Sequence, residues 1–95
     1  MTKQEAYTKK VEAQLEEWSA EIDKLKARGK KSGADAELAY QRRVEDLERK
    51  RDEAQDQLEE LRDASGDAWE DIKAGVESAR ESLAEALQSA RERFK

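Results

Sequence analysis

One apolar stripe constrains this chain more than any other feature of its sequence. Large apolar side chains recur at alternating spacings of four and three residues: Val11, Leu15, Trp18, Ile22 and Leu25. This heptad spacing puts all of them on one side of a helix, where they form a seam for a partner helix. Thr2 followed by Glu5 is a capping-box pair, which places the helix start near residue 3. We therefore predict a helix over residues 3–28.

A second stripe with the same spacing follows a turn. Residues 28–33 read RGKKSG, and glycine at a helix end commonly adopts a positive φ. This pattern predicts a turn at residues 29–33 and a second helix over residues 34–64. Its seam holds Tyr40, Val44, Leu47, Arg51, Ala54, Leu58 and Leu61. The two stripes predict an antiparallel hairpin whose core consists of Val11, Leu15, Trp18, Ile22, Leu25, Tyr40, Val44, Leu47, Leu58 and Leu61.

Folding the stripes about the centre of the turn also predicts a register for the hairpin. The predicted partners are Ile22 with Tyr40, Trp18 with Val44, Leu15 with Leu47, and Val11 with Arg51. Arg51 is the polar member of the seam, and a long arginine stem can cover apolar surface while its charged head stays in water. We expect its head to reach an acid such as Glu12 or Glu48.

The last 28 residues repeat with a period of eleven: AWEDIKAGVES, ARESLAEALQS and ARERFK. Eleven residues make very nearly three whole helical turns, so the apolar stripe stays on one face of a nearly straight helix. We predict this helix over residues 68–94, with an amphipathic interface made of Trp69, Ile72, Val76, Leu83, Leu87 and Phe94.

The local sequence before this repeat favours a break between helices at residues 65–67. Gly66 can take the left-handed conformation that closes a helix, and Asp67 with Glu70 forms another capping-box pair. The heptad phase nevertheless continues through the glycine, so one long helix is the alternative. The predicted fold is all-α, in one domain over residues 1–95. It comprises an antiparallel helical hairpin plus a third long amphipathic helix, arranged as a three-helix bundle or a coiled-coil oligomer.

The composition excludes several kinds of chemistry. The chain has no cysteine and no histidine, which excludes disulfides, thiolate or imidazole metal sites, and Cys or His nucleophiles. Adjacent acids such as Glu16 and Glu17 point in different directions on a helix, whereas acid–base catalysis needs carboxylates in a cleft. We predict no enzyme activity, no catalytic residue, no metal site, no cofactor and no small-molecule substrate. A weak calcium or magnesium site on the acidic second helix is the alternative.

Charge and hydropathy limit the class of partner. The net charge is -5 and no segment forms a basic arm, which argues against nucleic acid, since duplex binding requires a lysine and arginine surface. The sequence shows no secretory leader and no apolar run of the roughly 20 residues that a spanning helix needs. We therefore expect a cytoplasmic protein. Because one hairpin seam cannot bury every stripe, we also expect a homo-oligomer, a dimer or higher.

Two other functions stay open at this point. The amphipathic helix over residues 68–94 is also typical of proteins that bind a membrane or lipid surface peripherally. Against this, interfacial helices usually have excess base on the polar face, and this segment has seven acids but only five bases from residue 65 onward. The repeat and the low hydrophobicity are also typical of desiccation protectants that fold conditionally.

Three segments resemble a family of small bacterial coiled-coil proteins described as stress-response proteins. They are VEAQLEEWSAEIDKLKAR, VEDLERKRDEAQDQLEELRDASGDAWEDIKAGVESA and the closing RFK, and SGDAWEDIKAGVESA is the most specific part. The resemblance implies a cytosolic, non-enzymatic helical protein linked to stress, and it supplies no catalytic residue. Our expectation is therefore a self-associating helical protein with a structural or stress-related interaction role.

Overall fold

The computed structural model describes residues 2–31 and 33–93, apart from the side chain of Ala34. These residues form three helices. Helix α1 covers Lys3–Lys30, α2 covers Ala34–Asp63, and α3 covers Gly66–Arg93. Helix α2 packs against both of its neighbours and runs antiparallel to them. The bundle measures 51 × 21 × 19 Å. The predicted all-α, three-helix architecture is confirmed.

The three apolar stripes meet in a single core. Its most completely buried side chains come from all three helices: Val11, Ile22, Leu47, Leu61, Val76, Leu83 and Leu87. Among the described residues, none with a polar or charged side chain is buried, and Leu38, 51% exposed, is the one large apolar side chain on the surface. The hairpin seam alone does not bury every stripe: α3 covers the face of α2 that α1 leaves open, so the burial is completed within one chain and the expected self-association stays a prediction.

Helix α1 begins where the sequence predicts it and ends two residues later. The hydroxyl of Thr2 accepts a hydrogen bond from the amide of Glu5 at 3.1 Å, as expected of a capping residue. The helix continues to Lys30, beyond the predicted end at residue 28. No glycine in the described ranges has a positive φ, so the expected left-handed closure is wrong. Gly29 is instead helical and buried against α2, where a Cβ would lie only 2.7 Å from Cβ of Tyr40.

The predicted register of the hairpin is wrong by about two helical turns. Tyr40 packs on Gly29, which is seven residues after its predicted partner Ile22. Arg51 donates a hydrogen bond to Oγ of Ser19 at 3.2 Å, eight residues after its predicted partner Val11. The early residues of α2 therefore extend past the end of α1, which explains why Leu38 is exposed there.

Helices α2 and α3 are separate, and the break lies slightly earlier than predicted. Helix α2 ends at Asp63, Ala64 is extended, and α3 begins at Gly66 rather than at residue 68. The carbonyl of Ser65 accepts hydrogen bonds from the amides of Ala68 and Trp69 at 3.1 and 3.0 Å. Gly66 is thus the first residue of α3 and does not close α2. The extended backbone of Ala64 ends α2 and lets α3 run back along it. The continuous heptad phase gives no sign of this reversal.

Candidate interaction surfaces

The structure places most of the predicted core and interface residues in the interior. Three of them, Trp18, Tyr40 and Ile72, are only partly buried and pack on the edge of the core. Phe94 lies outside the described residues. The other predicted positions are buried: Val11, Leu15, Ile22, Leu25, Val44, Leu47, Leu58, Leu61, Trp69, Val76, Leu83 and Leu87. The apolar face of α3 is therefore covered in the closed bundle and is not a free surface.

An aromatic and cationic cluster joins the amino-terminal parts of α1 and α3. The rings of Tyr7 and Trp69 meet edge to face, with centroids 5.8 Å apart. The Lys73 ammonium lies 4.9 Å from the Tyr7 centroid and 5.3 Å from the Trp69 centroid, within the range of cation–π attraction. The Tyr7 hydroxyl donates a hydrogen bond to Glu77, which also accepts from Arg80 at 3.2 Å. These contacts fix α1 beside α3 with both helices running in the same direction.

The surroundings of Tyr7 change its acidity. Burial of the phenol and its hydrogen bond to Glu77 raise the pKa of Tyr7 to about 12. Both effects disfavour the phenolate, since a charged oxygen loses solvation and can no longer donate a proton to a carboxylate. Tyr7 therefore stays protonated at neutral pH and serves as a hydrogen-bond donor between the two helices.

A second tie between α1 and α3 lies near the opposite end of the bundle. The guanidinium of Arg91 donates to both carboxylate oxygens of Glu21, at 2.8 and 2.7 Å. These charge-assisted bonds raise the pKa of Arg91 above its ordinary value. Tyr7 with Glu77 and Glu21 with Arg91 are each seventy residues apart, so the two ties agree on one parallel register.

Arg51 does not find the acids that the sequence suggested. Its guanidinium bonds to Ser19 and to Asp52, both at 3.2 Å. The shifted register puts Glu12 within 2.5 Å of Arg62 and Glu48 within 3.9 Å of Lys26. The predicted partners of Arg51 are therefore wrong, but Arg51 does lie at the edge of the seam, as predicted.

One polar opening lies between α1 and α3, beside the aromatic cluster. Gln14, Trp18, Glu77, Arg80, Glu81 and Ala84 line it. Two buried atoms there, Oε1 of Gln14 and Nε of Arg80, have no hydrogen-bond partner. One is an acceptor and the other a donor, so the two atoms are chemically complementary.

The hairpin end of the bundle has a concentration of basic side chains. Arg42 and Arg43 of α2 and Arg93 of α3 line one groove together with Ala39 and Asp46. We call this the arginine groove. Asp46, the acidic residue of the groove, forms its ion pairs with other bases: Arg49 at 2.5 Å and Lys50 at 3.7 Å. Within the described part of the chain, none of the three groove arginines makes an ion pair or a hydrogen bond.

The opposite end is acidic. Four exposed carboxylates flank the junction of α2 and α3, namely Asp63, Asp67, Glu70 and Asp71, and we call them the acidic cap. None of them forms an ion pair with a described residue. The second half of α2 adds to this charge, since residues 52–63 contain six acids and one base.

Sequence reasoning missed this separation of charge along the bundle. The basic groups come from three segments far apart in the chain, around residues 24–31, 42–43 and 91–93. None of the three is long enough to be a basic arm, yet folding brings them to one end. The charge of residues 52–71, nine acids and one base, would have found the acidic end, whereas the groove requires the register of α2 against α3.

Two further observations concern metal ions and membranes. In residues 2–31 and 33–93, no group of three or more acidic side chains is placed to hold a metal ion. None of the three helices, over their described residues, combines the length and apolar character needed to cross a membrane.

No protein-family model, curated protein or solved structure matches the chain. The resemblance to small coiled-coil stress-response proteins therefore stays a prediction that rests on the sequence segments alone.

Proposed function

We propose that the protein is a non-enzymatic helical module that associates with copies of itself, in a structural or stress-related role in the cytoplasm. One observation is the main support: the arginine groove lies toward one end of the bundle, and the opposite end is acidic. Opposite charges on two surfaces of the same molecule attract copies of it to each other and help to orient them. The link to stress rests only on the resemblance of the sequence.

The burial of the apolar stripes within one chain limits the kind of association that copies can form. A coiled-coil oligomer would use exposed seams, but the seams of α1, α2 and α3 are buried against each other within one chain. Copies that keep this fold must meet through their exteriors, which are rich in charge: 45% of the residues are Asp, Glu, Lys or Arg. Exposed ion pairs are weak and screened by salt, so we expect a reversible association that depends on ionic strength.

Lipid binding and conditional protection remain predictions from the sequence. Either one would require α3 to separate from α2, because Trp69, Val76 and Leu83 are buried in the bundle. Flotation of the protein with anionic or neutral vesicles would support lipid binding, and a disordered chain in dilute buffer would support the protectant.

Sedimentation equilibrium tests the proposed self-association directly. We expect a mass above the 10.9 kDa of one chain at low salt and rising protein concentration, and a return to one chain at high salt. The range should extend from tens of micromolar to about 1 mM, because a few exposed ion pairs support only weak binding. A mass of one chain under all these conditions would contradict the proposal.

A further inference from the structure

We propose that the arginine groove of one copy holds the acidic cap of another, so that copies join head to tail. This inference rests on the proposed self-association and names its two surfaces. The groove offers the guanidinium groups of Arg42, Arg43 and Arg93, none of which has a carboxylate partner in the described part of its own chain. Guanidinium groups match carboxylates well, because two parallel N–H donors can meet two oxygens.

The acidic cap supplies the complementary chemistry. Asp63 and Asp67 lie on either side of the short junction at Ala64 and Ser65, and Glu70 follows one turn later. All three are exposed, and they lie at the end of the bundle where α2 ends and α3 begins. Several carboxylates grouped at one end can accept hydrogen bonds from more than one guanidinium group of a groove at the same time.

The two surfaces cannot meet within one molecule. They lie at opposite ends of a bundle that is 51 Å long, and each end is built on helices that pack into the same core. A contact between two different surfaces is heterologous, and it produces open rows of copies unless a rotation closes a ring. The expected assembly is therefore a row that lengthens with concentration.

A second copy fits this groove better than an extended polyanion does. Duplex nucleic acid has a charge about every 1.7 Å along its axis and would run past the groove onto neighbouring surface. The neighbouring half of the bundle is acidic, with six acids over residues 52–63, and the net charge is -5. A compact acidic cap meets the arginines without covering that repulsive surface.

The test uses one charge-reversal variant for each end. The groove variant is Arg42→Glu/Arg93→Glu, and the cap variant is Asp63→Lys/Glu70→Lys. A matched control, Lys9→Glu/Lys10→Glu, has the same charge change as the groove variant but at exposed positions on α1 outside the three basic segments. Circular dichroism checks that each is as helical as the wild type, and Arg42→Gln/Arg43→Gln replaces the groove variant if it is not.

Sedimentation velocity in about 10 mM salt, where the Debye length is about 30 Å, then separates the outcomes. We expect rows of increasing length for the wild type and the control, and an association constant at least about tenfold lower for each end variant alone. An equimolar mixture of the two end variants should associate again, because the intact cap of the groove variant meets the intact groove of the cap variant.

Several results would overturn the inference. If both end variants associate as the wild type does, copies join elsewhere, and the proposed self-association stands without this interface. If the mixture stays monomeric while the wild type forms rows, the groove and the cap are not partners. If the wild type is monomeric but binds heparin through the groove arginines, the groove holds a polyanion, and the proposed self-association fails as well.

Discussion

The contact between Gly29 and Tyr40 sets how closely α1 and α2 approach, and replacing this glycine should destabilise the protein. A Cβ at residue 29 would lie 2.7 Å from Cβ of Tyr40 and 3.2 Å from its Cγ. Ordinary carbon–carbon contacts are about 3.5 to 4.0 Å, so the atoms must separate by about 1 Å. Cβ of Tyr40 is attached directly to the backbone of α2, and no side-chain rotation can move it away.

The size of the effect follows from two opposing contributions. Forcing an extra carbon into a packed interface costs about 1 to 3 kcal/mol. Alanine is a better helix former than glycine by up to about 1 kcal/mol in a helix interior, but Gly29 is the second-last residue of α1 and gains only part of this. We expect Gly29→Ala to lower the free energy of unfolding by about 1 to 2 kcal/mol.

Gly75→Ala is the matched control, and it should have the opposite sign. A Cβ at residue 75 would lie 2.6 Å from Oε1 of Gln57, the free end of a flexible side chain that can rotate away. Gly75 lies in the interior of α3, so alanine should stabilise the protein by about 0.5 to 1 kcal/mol.

Urea unfolding followed by circular dichroism, at a protein concentration where the chain is monomeric, measures both changes. The two variants should differ by about 2 kcal/mol, which corresponds to melting temperatures about 10 °C apart for a chain of this size. A Gly29→Ala protein as stable as the wild type would show that α1 and α2 do not approach each other at this point. A destabilised Gly75→Ala protein would contradict the helix spacing between α2 and α3.

Two other predictions concern the core and the aromatic cluster. Leu47 is fully buried, so Leu47→Ala should lower the free energy of unfolding by about 2 to 5 kcal/mol. Leu38 is exposed, so Leu38→Ala should change it by less than about 0.5 kcal/mol. Equal effects of the two substitutions in urea unfolding would refute the assigned core. The pKa of Tyr7 is raised from 10.0 to about 12, so its contribution to stability is complete below pH 10 and is lost as the pH rises from 10 through 12. The difference between tyrosinate absorbance titrations of the wild type and Tyr7→Phe should show one step near pH 12, and a step near pH 10 would contradict the contact with Glu77.

The helices and most of the core could be predicted from the sequence because apolar spacing determines which face of a helix is buried. Val11, Leu15, Ile22 and Leu25 show this, since each lies in the core of the folded chain. Half-buried positions such as Trp18 could not be distinguished, because a stripe position at the edge of a seam has the same spacing as one at its centre.

The register could not be predicted because a heptad pattern is degenerate. Sliding one stripe by seven residues, about two helical turns, again matches apolar with apolar positions. The choice depends on tertiary detail: the missing side chain of Gly29 accommodates Tyr40, and Ser19 accepts a hydrogen bond from Arg51. The arginine groove was missed for a related reason, since its arginines belong to two helices and become neighbours only when the register is known.

Small-angle X-ray scattering tests the central claim, which is that copies of this bundle join end to end through oppositely charged ends. At low salt and rising concentration, we expect the maximum dimension to grow in steps of about the 51 Å length of one copy, while the cross-section stays near 21 × 19 Å. High salt should return the particle to the dimensions of one bundle, because screening weakens contacts between exposed charges. A cross-section that grows while the length stays the same would mean side-by-side association and would contradict the account.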